Sequence, residues 1–201
     1  MSTGLVKERI QGEEQPTQVS AERSAGFGDL APAYRYGAII AALCSGASVL
    51  AHFGLGARGV ISAGFVAVLA ILAAIDLEHG VIPNRILVPA GCALLIAQIA
   101  FFPHQAAEWI LAGLGAGLVL LIPALVKRGA LGMGDVKLGT FLGVGLGKAV
   151  IGGLLLGSLA AVPFALAILV RHGTAGRKER IPLGPFLAVG GLLALLLSSS
   201  I

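Results

Sequence analysis

From residue 36 onward the chain consists of long apolar runs separated by short breaks of glycine, proline or charge. Seven runs lie at about 36–53, 59–77, 83–102, 107–126, 135–147, 149–170 and 182–200. They lack the strict apolar–polar alternation of barrel strands. Most approach the roughly 20 residues that carry a helix through a bilayer at about 1.5 Å per residue. The pattern predicts an all-α fold, a polytopic transmembrane helix bundle of about seven spans. The fifth run is shorter than the rest, so six spans are the alternative.

Residues 1–34 differ in kind: KER, EEQPTQ and AERS supply charge with almost no apolar periodicity. They are expected to form a disordered polar tail ahead of a membrane domain over 35–201. A cleaved export signal needs a basic start followed closely by an apolar core, and no apolar core precedes residue 36. The first span is therefore expected to be retained.

Composition strengthens the membrane reading. Hydrophobic residues make up 57% of the chain and charged residues 12%, against roughly 25% charged in soluble domains. Mean hydropathy is +0.94. Basic residues remain on the cytoplasmic side during insertion. With seven spans, Arg58 and Lys148 fall on one side and the other basic residues on the opposite side, which is therefore expected to be cytoplasmic and to hold the amino terminus. The net charge of +4 then needs no nucleic acid to explain it.

Cys44 and Cys92 lie in separate apolar runs without a CxxC partner, so they are expected to pack as small buried hydrophobes. Among the 30 glycines, Gly139, Gly143 and Gly147 recur at every fourth residue, and Gly153 and Gly157 repeat that spacing. Small residues on one helix face let backbones approach in lipid. Close packing of the fifth run against the sixth is the expectation.

The chemistry gathers at two acids. Asp76 is the only charge between Ser62 and Leu77, and Asp135 opens the fifth run within GMGDVKLG. A carboxylate at membrane depth is costly, about 2.5–3.5 kcal/mol at a helix centre, and marks function by default. An interfacial cap or a snorkelling contact is the bland reading of either one alone. Two intervening spans return the chain to the same side, so packing could bring the acids together. Close carboxylates resist joint ionisation; the charged one can draw a proton from water while the protonated one donates to a carbonyl oxygen. The helix dipole favours charge on Asp135, at a helix start, and the proton on Asp76, at a helix end.

Neighbouring residues suggest supporting or substrate-binding roles. Gly132 and Gly134 clear space beside Asp135 or simply form a turn. Pro83 suits the first turn of the third helix, and Asn84 either hydrogen-bonds the loop carrying Asp76 or serves the turn. Lys137 either orients Asp135, meets an acidic group on a substrate, or snorkels to the interface. Glu78 and His79 raise a metal reading with Asp76, but all three crowd into four residues, and no metal or other cofactor is expected. His52, His104 and His172 are expected at the interfaces.

Three blocks, IDLEHGVIPNRI, GMGDVKLG and IPLGPFLAVGG, resemble in order and spacing those of type IV prepilin peptidases, bacterial membrane aspartic proteases. The likeness covers roughly residues 36–200. It implies that Asp76 and Asp135 are the two catalytic aspartates and that Gly132, Gly134 and Lys137 belong to the second motif. It also implies that prepilin or pseudopilin precursors in the bacterial cytoplasmic (inner) membrane lose short basic leaders at the cytoplasmic face. Many members of that family carry a four-cysteine zinc segment and methylate the pilin; this sequence lacks those cysteines, so methyltransferase activity is not expected. IPN also stands where IPD or LPD is common. The rival readings are a presenilin-like intramembrane protease, which would resemble a PAL-type third motif instead, and a small transporter or a catalytically silent assembly factor.

Overall fold

The computed structural model describes residues 30–126, 132–172 and 182–198, and among them there are helices and turns but no strand. Seven α-helices follow one another: α1 Pro32–Phe53, α2 Ala57–His79, α3 Asn84–Phe101, α4 Ala106–Val126, α5 Met133–Leu146, α6 Val150–His172 and α7 Gly184–Ser198. Each expected run has its helix. By length and composition, five stretches can cross a membrane: Pro32–Phe53, Ala57–His79, Asn84–Phe101, Pro103–Val126 and Met133–Ala167. The last contains both α5 and most of α6.

The chain reverses inside that stretch. Gly147 ends α5 at φ +56, a left-handed conformation that favours glycine. A short 3₁₀ turn, Gly147–Ala149, then opens α6. Lys148 fixes the turn to the start of α4: its backbone N–H donates to Glu108 Oε1 at 3.2 Å and its ammonium meets Glu108 Oε2 at 3.0 Å. Beyond the turn, Gly153 packs beside Ala194 and Gly190, and Gly157 beside Phe186 and Leu187. Residue numbers rise along α6 as they fall along α7, so these helices are antiparallel.

The glycine faces extend the expected pairing to further helices. Gly139 and Gly143 press on Leu120, Ala116, Ala112 and Gly113 of α4, whereas Gly153 meets Leu146 of α5 as well as α7, and Gly157 serves the α6–α7 contact. Spacing alone marks a close-packing face without naming the helix that fills it. A methyl group on Gly143 would lie 2.6 Å from the Gly113 Cα and from the Ala112 carbonyl carbon, both backbone atoms that cannot rotate away. Gly143→Ala should therefore cost about 1–3 kcal/mol. Gly152→Ala, with nothing within 4 Å of the added carbon, should be neutral or slightly stabilising. Thermal unfolding midpoints in detergent check the contrast.

α5 sits at the centre. Val136, Leu138, Gly139, Phe141, Leu142, Gly143 and Leu146 are buried, half of its 14 residues. The core around it draws Phe65, Leu69 and Leu72 from α2, Leu87 and Leu94 from α3, and Leu187 and Ala194 from α7. The outer surface is the reverse of a water-soluble protein's. Leu43, Ile96, Leu111, Leu155 and Leu197 each leave more than 60% of their surface uncovered, a contiguous apolar exterior suited to lipid.

Two sequence expectations change here. Cys44 and Cys92 are exposed on that exterior and do not pack inside; in a bilayer an apolar thiol is equally satisfied facing lipid. α1 begins at Pro32, ahead of the expected residue 36, and Leu30 is buried against Ile75. The last residues assigned to the polar tail thus belong to the bundle, while residues 1–29 lie outside the described part.

Candidate functional site

At one end of the bundle the end of α2 and the starts of α3, α5 and α7 converge. Asp76 lies in the last turn of α2, only 5% exposed; with Gln98 it forms the set of buried polar side chains among the described residues. Its backbone carbonyl accepts the Gly80 N–H at 2.9 Å, and Gly80 at φ +63 ends the helix in the left-handed conformation. Its carboxylate reaches much further along the chain. Gly184, the first residue of α7, donates its backbone N–H to Asp76 Oδ2 at 2.9 Å. An otherwise costly buried carboxylate is compensated by a bond to charge, worth about 1.5–3 kcal/mol.

Only glycine suits position 184. A methyl group there would stand 2.7 Å from Asp76 Oδ2 and 3.1 Å from its Cβ and Cγ. Gly184 lies within the IPLGPFLAVGG block, but the sequence alone assigns it no role. The one available signal was a glycine at a helix start inside that block.

Asp135 stands in the first turn of α5 and is partly buried. Its Oδ2 accepts the Gly132 N–H at 3.2 Å, while its own N–H donates to the Gly132 carbonyl at 3.0 Å. This is the carboxylate half of a capping box, and the helix dipole adds about 0.3–1 kcal/mol for negative charge there. The structure therefore places Asp135 at a helix start, as the sequence indicates.

Two contacts bind the start of α5 to the turn after Asp76. A Cβ on Gly134 would lie 3.2 Å from that of Ile82, so the missing side chain admits the turn. Lys137 donates from Nζ to Asn84 Oδ1 at 2.8 Å. Asn84 thus bonds the second motif, where the Asp76 loop was one expectation for it, and Lys137 is held by an amide. Pro83 is fully buried and stands at the N-cap of α3, one residue ahead of the expected first turn; its carbonyl accepts the N–H groups of Ile86 and Leu87.

The remaining acid of this region faces away from a metal role. Both oxygens of Glu78 accept the Ala31 N–H, at 3.0 and 3.2 Å, and so dock the start of α1 onto α2. No group of three or more His, Cys, Asp or Glu side chains suited to a metal occurs among the described residues. His52 and His104 lie at the opposite end, in the last turn of α1 and in the turn before α4, while the His172 side chain is outside the described part.

A helical membrane bundle with two acids at one end, each receiving a backbone N–H, is the class that fold and site define. Residues 63–166 match the profile of the Type IV leader peptidase family, and the chain belongs to that family. A protein of Bacillus subtilis named prepilin leader peptidase/N-methyltransferase is 30% identical over 79% of this chain and 64% of its own length. A protein of the same name from Burkholderia pseudomallei is 35% identical over 77% of this chain and 51% of its own length. The chain therefore spans about half to two thirds of the curated relatives it matches. No solved structure matches it.

Proposed function

We propose that this chain is a membrane aspartic endopeptidase that removes the short basic leader from prepilin-like or pseudopilin-like precursors. Asp76 and Asp135 share the work on one water molecule. One carboxylate takes the proton of the attacking water while the other gives its proton to the scissile carbonyl oxygen; the first then passes the water's proton to the leaving amine as the C–N bond breaks, and the second regains a proton from the collapsing gem-diol. The observation that carries the reading is the union of the three sequence blocks at one end of the bundle: Gly184 bonds Asp76, and Lys137 bonds Asn84 of the turn that follows it. Family membership supplies the chemical class.

This end is the one the distribution of basic residues assigns to the cytoplasm, with Arg58 and Lys148 at the other. A precursor whose apolar helix lies in the bilayer and whose basic leader stays in the cytoplasm presents its scissile bond at that level. Methyl transfer is not part of the proposal.

The test is co-expression with a candidate precursor bearing a basic leader ahead of an apolar helix, read by intact-mass spectrometry. Release of the leader only when the wild-type chain is present is expected; an unprocessed precursor across a panel of pilin and pseudopilin types would reject the proposal. In the same assay Lys137→Met should slow processing about tenfold to a hundredfold, the worth of one charge-assisted hydrogen bond. Asn84→Asp, which still accepts from the ammonium, should remain within a few fold of wild type. Equal rates for Lys137→Met and wild type would remove the clamp from the mechanism.

A further inference from the structure

The opposite end of the bundle contains a concavity separate from the acids. A cavity of about 500 Å³ opens there, lined by Arg58, Ser62 and Gln98 together with Phe102, Trp109 and the Glu108–Lys148 pair. It far exceeds the space of a single water, about 30 Å³. Gln98 is 94% buried by its 6% exposure, and its Oε1 has no hydrogen-bond partner. A terminal amide turns easily about its last torsion, so this oxygen can swing to face the cavity that its side chain lines. It requires a donor.

Arg58 supplies the complementary demand. Its guanidinium lies 5.4 Å from the centre of the Phe102 ring, and among the described residues no carboxylate pairs with it. Glu108 and Lys148 neutralise each other, so the cavity retains one net positive charge, suited to a phosphate oxygen.

Beside this polar cavity lies an apolar crevice of about 230 Å³ between α2, α3 and α5, with Gly64, Phe65, Ala93, Leu94 and Phe141 on its walls. Ile61 borders both spaces. Gly145, on the polar side, packs on the Phe65 ring, on the apolar side. An anion site, an acceptor in need of a donor and an adjoining apolar slot together describe an amphiphile.

We propose that these neighbouring spaces, which share Ile61 as a wall, together bind one phospholipid of the leaflet opposite the acids. Arg58 holds its phosphate, Gln98 Oε1 accepts from an ammonium or hydroxyl of its headgroup, and one acyl chain lies along the Phe65–Phe141 crevice. Headgroups able to donate, phosphoethanolamine and phosphoglycerol, fit. Phosphocholine fits poorly because its quaternary nitrogen carries no proton. No cleavage chemistry enters this inference.

Native mass spectrometry of the full chain in detergent, titrated with phosphatidylethanolamine, phosphatidylglycerol and phosphatidylcholine, tests it. The expected result is one retained lipid per chain, with the first two bound at least tenfold more tightly than the third. Arg58→Gln, at an exposed position, should weaken all three at least tenfold. Gln98→Leu should abolish the preference while unfolding no earlier than wild type in lipid-free detergent, since it removes an unpaired buried oxygen. Absence of one-to-one binding, affinities untouched by either substitution, or loss of only one of the two effects overturns the site. Glycerol phosphate without acyl chains competing as well as the lipid would also overturn it, in favour of a soluble anion.

Discussion

Asp76→Asn and Asp135→Asn should each lower leader cleavage by about a thousandfold or more while leaving the bundle folded. Acid–base groups in such pairs contribute about 10²–10⁴ in rate each, and a shared water loses both functions when either partner fails. The amide substitution isolates chemistry from structure. An asparagine at 76 still offers an oxygen to the Gly184 N–H, and one at 135 still accepts from Gly132, so both anchoring hydrogen bonds survive. Neither amide takes up or releases a proton near neutral pH. The double variant should be no slower than either single one, as expected of residues acting as a unit. Rates from a purified precursor, with unfolding midpoints measured alongside, check this. Cleavage that persists within tenfold in either variant would remove that acid from the mechanism.

Gly184→Ala should lower the rate about a hundredfold with a modest loss of stability, about 1–3 kcal/mol. The added methyl group would lie 2.7 Å from the carboxylate oxygen that the Gly184 N–H serves, so either the start of α7 or the Asp76 side chain must move. A misplacement near 1 Å in a catalytic group is enough for such a loss. Gly190→Ala is the informative comparison. It also crowds backbone, at Gly157 in the α6–α7 contact, but it lies away from the acids. It should therefore destabilise without a comparable loss of rate in the protein that remains folded. If the two variants lose rate in equal proportion to stability, Gly184 is a packing residue only.

Much of this was legible in the chain itself, for identifiable reasons. Apolar run length is set by bilayer thickness, so seven runs gave seven helices despite the short α5. Asp76 and Asp135 stood out because charge is rare in this chain, and the local signals around them correctly put one at a helix end and the other at a helix start. Long-range pairing was not legible. The Gly184 donor is 108 residues from Asp76, and a backbone N–H has no identity in a sequence. Glycine spacing marked faces on α5 and α6 but named only part of their partners, because a small-residue face fits any neighbour that topology brings to it. Lys137 and Asn84 were each singled out, yet only the packing of α5 on the turn at Ile82 reveals that they bond each other. Gln98 drew no notice within its apolar run, since only the folded cavity makes its unpaired oxygen significant.

The proposed aspartic mechanism requires the two acids to face one another closely enough to hold a single water. Cysteines introduced as Asp76→Cys and Asp135→Cys, with Cys44 and Cys92 replaced by alanine, allow that separation to be measured in the intact membrane with thiol crosslinkers of graded length. Rapid, near-complete linkage by the shortest reagents, about 4–6 Å in span, is the predicted result, matching the reach of two carboxyl groups across one water. Linkage that needs reagents spanning about 15 Å or more, in a protein that has kept its wild-type unfolding midpoint, would contradict a shared catalytic water.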